Sequence, residues 1–197
     1  VGPRQEYRIP PERVEELWEA VRCIMCGACF SDCTVDEIDI NFLGPAALAR
    51  ASWMVRDPRD GRTIERLREL SKPHGVWDCA HCFYCVQVCP KDVKPMEQIL
   101  RLRRLAMEAG ITDNNGSRHR RAFAESVKES GWLDEFTLVP KSYGWNPIAL
   151  LPELPTAVRM MARKGAPAPI HPRRPKTDEV RRIFEKIERK GAARRDA

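Results

Sequence analysis

Cysteine is absent from the 197-residue chain except in two short stretches, CIMCGACFSDC (23–33) and CAHCFYCVQVC (79–89), which between them hold all eight. No apolar run approaches the roughly 18 residues that a membrane span needs. The opening VGPRQEYRIP lacks the apolar core of a secretory signal. These absences predict a chain with no transmembrane span of its own. It opens at Val1 rather than at a methionine, as expected of a processed or partial chain. There is no GxGxxG for a dinucleotide, no phosphate loop and no nucleophile elbow, so the common hydride-, phosphoryl- and acyl-transfer sites are not expected. Alternating runs long enough for convincing strands are missing too. A net charge of +6 invites a nucleic-acid reading, but residues 150–197 hold 13 Lys and Arg against 6 Asp and Glu, while 1–149 hold 21 against 22. The excess belongs to a basic tail rather than to a folded face with interleaved aromatics, and no nucleic-acid partner is expected.

What is present is helical periodicity. Val14, Leu17, Trp18 and Val21 recur at i, i+3, i+4, i+7 behind Pro10-Pro11, a helix that delivers the chain to the first cysteine run. GPAALARASWMV (44–55) and TIERLREL (63–70) read as two helices separated by the turn DPRDG (57–61). MEQILRLRRLAMEAG (96–110) reads as a third, with Gly110 suited to its C-terminal cap. HRRAFAESVKES (119–130) and DEVRRIFEKIERK (178–190) follow the same rule, the second with Val180, Ile183, Phe184 and Ile187 on one stripe that needs a cover. Seven of the sixteen prolines fall within 146–176, a density that favours an extended path. Within that stretch TAVRMMARK offers a short helix, either a turn packed on the body or a docking surface for a partner or membrane interface. The expected fold is mainly α. A helical domain over 1–140 holds the cysteines, and a Pro-rich basic extension over 141–197 ends in a helix.

The cysteine spacing C-x2-C-x2-C-x3-C decides the chemistry. Disulfides fit poorly, because cysteines three apart bridge only with strain and nothing indicates an oxidising compartment. Structural zinc takes two C-x2-C pairs and has no use for a third cysteine at x2 and a fourth at x3. The second run, with Pro90 after it, resembles the bacterial ferredoxin run, in which three thiolates on a short loop wrap three corners of a cubane. In two-cluster ferredoxins the fourth cysteine of each run binds the other cluster. Carried over, one [4Fe-4S] cluster takes Cys23, Cys26, Cys29 and Cys89, and the other takes Cys79, Cys82, Cys85 and Cys33. Gly27 and Ala28 are small enough for backbone to approach the first. Thr34 stands where the pattern has proline after the fourth cysteine. His81, inside the second run, is a candidate for tuning potential or accepting a hydrogen bond. Trp77 is a candidate shield against water, or simply core. His74, His119 and His171 read as surface groups.

A wider resemblance covers roughly residues 6–110. FLGPAALARASWMVRDPRDGRTIERLREL, then GVWDC, then CVQVCPKDVKPMEQI, is similar in order and spacing to the iron–sulfur subunit of succinate dehydrogenase and fumarate reductase, in its C-terminal alpha-helical ferredoxin domain. The resemblance implies an electron-transfer subunit of an oxidoreductase complex with no substrate site of its own. It would relay electrons between a flavoprotein carrying FAD and a quinone-reactive or heterodisulfide-reductase-like membrane-associated subunit. The expected location is cytoplasmic, peripheral to the membrane through those partners. Three departures matter. Ordinary members lack a cysteine at Cys82 and hold a three-iron cluster there, so Cys82 implies a second [4Fe-4S] cluster, as in the branch whose membrane partner is related to heterodisulfide reductase. TVDEIDI (34–40) replaces the aromatic quinone-site residues that usually follow the first run. No cysteines serve an N-terminal [2Fe-2S] domain: the chain either starts downstream of one or lacks it, like the small iron–sulfur subunit of heterodisulfide reductase, which is the alternative reading. A zinc-binding adaptor or nucleic-acid protein is the remaining one.

Overall fold

A computed structural model describes residues 8–163 and 174–193. Every regular element among the described residues is a helix, so the mainly α expectation holds. The chain divides into two compact units, Val1–Asn114 and Asn115–Ala197. The compositional boundary at 140 lies inside a helix of the second unit, α8 (Glu135–Ser142).

The first unit is built on two long helices. α1 (Pro11–Val21) begins with a proline at its first position, where a missing N–H costs nothing. A single turn, α2 (Ala28–Ser31), sits within the first cysteine run. α3 (Gly44–Arg56) packs against α6 (Pro95–Glu108), and α4 (Thr63–Leu70) lies beside both. The turn α5 (Tyr84–Gln87) falls in the second run. Leu48 and Val55 of α3 interlock with Ile99, Leu102 and Ala106 of α6, and Phe42, Leu67 and Val76 close the core. Each large side chain buried here contributes about 1.5–3 kcal/mol. Gly44 occupies a left-handed φ of 80°, and a Cβ there would come within 2.7 Å of the Phe30 ring. Only glycine lets α3 start against the first run.

One polar side chain ties this unit across its centre. Gln98 is fully buried, accepts from the Ser52 hydroxyl at 3.1 Å, and donates to the Val93 carbonyl and to Glu19, each at 3.4 Å. Glu19 in turn takes Arg101 at 3.0 Å and Lys94 at 3.3 Å. α1, α3 and α6 are thereby joined around the chain that leaves Cys89.

In the second unit α7 (Asn115–Ser130) packs against α8 and α11 (Thr177–Ala193). Asp134 caps α8 by accepting from the amides of Phe136 and Thr137. Arg174 stacks over Trp132 at 3.7 Å, and the Thr177 hydroxyl donates to the Ser130 carbonyl at 3.1 Å. Of the stripe on α11, Val180 and Phe184 are half-buried while Ile183 and Ile187 stay exposed.

The proline-rich segment corrects the sequence reading. Residues 147–162 are not extended: α9 (Pro147–Leu150), a 3-10 turn (Leu151–Glu153) and α10 (Leu154–Ala162) follow in succession. Pro147, Pro152 and Pro155 each occupy the first turn of their own element, where proline's fixed φ favours a helix start. Counting prolines without asking where each stands in a turn gave the wrong path. GAPAPIH, with His171, lies outside the described residues.

Candidate metal centres

α1 ends at Val21, and the chain turns into the first cysteine run. Gly27 adopts a φ of 78°, and the space beside its Cα is open, so this position asks for left-handed backbone rather than for room. α2 then turns Cys29 back toward Cys23 and Cys26. Cys89 arrives from the other run, fixed by the Val93 amide donating to its sulfur at 3.4 Å. One cavity is lined by all four of these cysteines, and Ala46 and Ala49 of α3 form part of its wall. Small residues at those two positions keep the helix close without filling the cavity. The Cys29 thiol is held above its ordinary pKa, first by burial and then by the neighbouring Cys23, Cys89 and Cys26.

The other four cysteines gather in the same way. Cys85 is buried, and its thiol is pushed up to about 12, mainly by burial and then by Cys79. Cys79 is raised by burial first; the His81 amide and Arg103 act against that, while Cys33 and Cys82 add to it. Cys33 therefore sits with the second run, 46 residues away from Cys79, as Cys89 sits with the first. Cys29 also acts on Cys85, so the two groups are neighbours. Thiols crowded and buried this way stay neutral unless a positive core draws them into the thiolate form. Two sets of four sulfurs, with amides aimed at them, fit an iron–sulfur group.

Several residues around the second set were not singled out, or not in these roles. Thr34 turns its hydroxyl toward the Cys82 sulfur at 3.7 Å, so the residue that breaks the proline pattern offers a hydrogen bond across the two runs. Met96, buried at the start of α6, meets the Cys79 sulfur at 3.5 Å. Arg103 is buried on α6 and reaches the second run, where its guanidinium meets Nε2 of His81. Trp77 is half-buried against the core, with its indole N–H buried and unpaired among the described residues. His74 and His119 are more than bare surface groups. His74 pairs with Asp39 at 2.6 Å, and His119 shares a 3.0 Å hydrogen bond with Ser142. Asp78 also approaches the Asp39–His74 pair, within 4.8 Å, but the short ion pair accounts for that grouping.

Comparison with known proteins agrees with this geometry. Residues 19–93 match the 4Fe-4S dicluster domain family. The iron–sulfur subunit of 8-methylmenaquinol:fumarate reductase from Wolinella succinogenes is 30% identical over 135 residues, 68% of this chain and 41% of that protein. The fumarate reductase iron–sulfur subunit of the same organism is 39% identical over 100 residues, 50% of this chain and 42% of the relative. The succinate dehydrogenase iron–sulfur subunit of Coxiella burnetii is 32% identical over 103 residues, 52% of this chain and 44% of the relative. The chain thus spans about two fifths of the length of these curated relatives. No helix among the described residues is long and apolar enough to cross a membrane.

Proposed function

From a mainly α chain that carries a 4Fe-4S dicluster domain and is similar to the iron–sulfur subunits of fumarate reductases and succinate dehydrogenases, we propose an electron relay. Cys23, Cys26, Cys29 and Cys89 hold one [4Fe-4S] cluster, and Cys79, Cys82, Cys85 and Cys33 hold the other. The observation that carries this reading is the gathering of each run's first three thiols with the fourth thiol of the other run. When bound, the clusters supply one-electron transfer. The protein's part is to fix them as neighbours, to aim the amides of Val93 and His81 at sulfur, and to cover the pair with α3 and Trp77.

The chain has no substrate site of its own in this reading and works inside an oxidoreductase complex. Electrons pass between a flavoprotein carrying FAD and a membrane-associated acceptor of the quinone-reactive or heterodisulfide-reductase type. The name of the Wolinella relative pairs a quinol with fumarate, which supports that arrangement. Cys82 completes the second four-thiol set and favours a heterodisulfide-reductase-like partner. The location is then cytoplasmic, at the membrane surface through the partners. The deciding experiment adds succinate to the natively purified anaerobic assembly and follows the clusters by EPR. Reduction by succinate, with bound flavin, supports the reading. Clusters that ignore succinate but respond to a thiol–disulfide couple replace it with a heterodisulfide reductase. Zinc in place of iron ends both.

A further inference from the structure

Three arginines stand in the RLRR stretch of α6, and they part company in space. Arg104 is exposed and Arg101 is half-exposed beside Glu19, whereas Arg103 is only 3% exposed. Burying a guanidinium is expensive unless its donors are used. Here Nε donates to the Val76 carbonyl at 2.7 Å. Nη2 donates to the carbonyls of Trp77 and Cys79, each at 2.9 Å, and Nη1 meets Nε2 of His81. The same group lies over the Trp77 ring at 5.6 Å. One side chain therefore holds the carbonyls of Val76, Trp77 and Cys79 and the ring of His81, along the approach to the second cysteine run and its first turn. The fork geometry suits arginine, since a lysine ammonium cannot reach four acceptors in a plane.

We propose that Arg103 is a positioning residue for the second cluster, which clamps the Cys79–His81 turn and whose charge favours the reduced state of that cluster over the oxidised one. The inference rests on the reading that Cys79, Cys82, Cys85 and Cys33 hold a cluster. A four-thiolate cluster gains one negative charge when it takes an electron. A fixed cation just behind the Cys79 carbonyl stabilises that charge, and burial weakens the screening that would cancel it. Arg103 reaches the second run through the Cys79 carbonyl and the His81 ring, so its charge acts more strongly on that cluster than on its neighbour.

The test uses the anaerobic assembly with Arg103→Gln and Arg103→Lys. Iron and acid-labile sulfide are counted, and both clusters are titrated with dithionite under EPR. In Arg103→Gln both clusters are retained, the first shifts less than the second, and reduction of the second becomes tenfold less favourable, a shift of 59 mV for one electron. Arg103→Lys, which keeps the charge and loses the fork, recovers most of that shift. An unchanged second potential in Arg103→Gln overturns the proposal. So does a shift shared equally by both clusters, or an Arg103→Lys protein displaced as far as Arg103→Gln. If Arg103→Gln loses the second cluster, retention in Arg103→Lys at a potential within tenfold of wild type supports the assignment, and loss in both variants overturns it. Failure of the underlying reading looks different: the wild-type protein itself would lack a second four-iron signal.

Discussion

Replacing Gln98 with leucine tests whether one buried amide really joins the helices around the cysteine groups. Leucine has nearly the same volume, so no large cavity opens and the polar loss stands alone. The Ser52 hydroxyl is fully buried and gives its 3.1 Å bond to Gln98, so the substitution takes away that acceptor. The Val93 carbonyl loses a 3.4 Å donor, and Glu19 loses a 3.4 Å donor but keeps Arg101 and Lys94. Depriving a buried group of its partner costs about 1–3 kcal/mol, and the longer bonds to Val93 and Glu19 add less than the usual net value of about 1 kcal/mol each. The expected total is about 2–4 kcal/mol. With a urea dependence of about 2 kcal/mol per molar, the midpoint falls by about 1–2 M. The assay is an anaerobic urea titration of the holoprotein, followed in parallel by circular dichroism and by visible absorbance. Adding Ser52→Ala to Gln98→Leu removes the deprived hydroxyl and returns about 1 kcal/mol or more. A neutral Gln98→Leu variant, or a double variant no more stable than the single one, refutes the reasoning.

Three further outcomes follow from the same geometry. Cys82→Ser converts or destroys the second cluster and spares the first; two unchanged four-iron EPR signals would remove Cys82 from the ligand set. Thr34→Val takes away the 3.7 Å hydrogen bond to the Cys82 sulfur and lowers the second potential by about 20–60 mV, toward the lower figure because Cys82 is exposed. Potentiometric EPR reads this directly, and a rise in potential would contradict it. Finally, the hydrogen bond between His74 and Asp39 raises the His74 pKa and lowers that of Asp39. The His74 contribution is complete below its ordinary value of 6.5 and fades as pH rises through the raised value, whereas that of Asp39 is complete above 3.8 and fades below it. The wild-type thermal midpoint therefore drops more between pH 6 and 8 than that of His74→Gln; parallel profiles would show that the pair adds nothing.

The helices were legible because their signals are local. TIERLREL gives α4 with no change of boundary, and GPAALARASWMV gives α3 to within a residue, since proline starts and apolar spacing act within a few residues. The first three cysteines of each run were legible as a group because their spacing puts them on one short loop, whereas the exchange of the fourth was carried over from two-cluster ferredoxins and not read from the spacing. Other features depend on partners far along the chain. The three arginines of RLRR look alike in the sequence, and only the packing of α6 against the second run shows that Arg103 is buried there. Thr34 reads as a lapse from a pattern until Cys82, 48 residues on, comes within reach of its hydroxyl. The prolines of 147–155 misled because proline ends a helix from within yet starts one from its first turn, and composition does not distinguish the two.

The cavity that draws three thiols from residues 23–29 and a fourth from residue 89 also sets a timetable for biosynthesis. Until the ribosome has released the chain through Cys89, the cavity lacks one of its four thiols, and α3 and α4 fold back to bring that thiol home. Cys33, conversely, waits for the whole second run. On the proposed ligand sets neither group is complete until both runs have emerged and residues 34–78 have folded back between them, although α6 to α11 are still to follow.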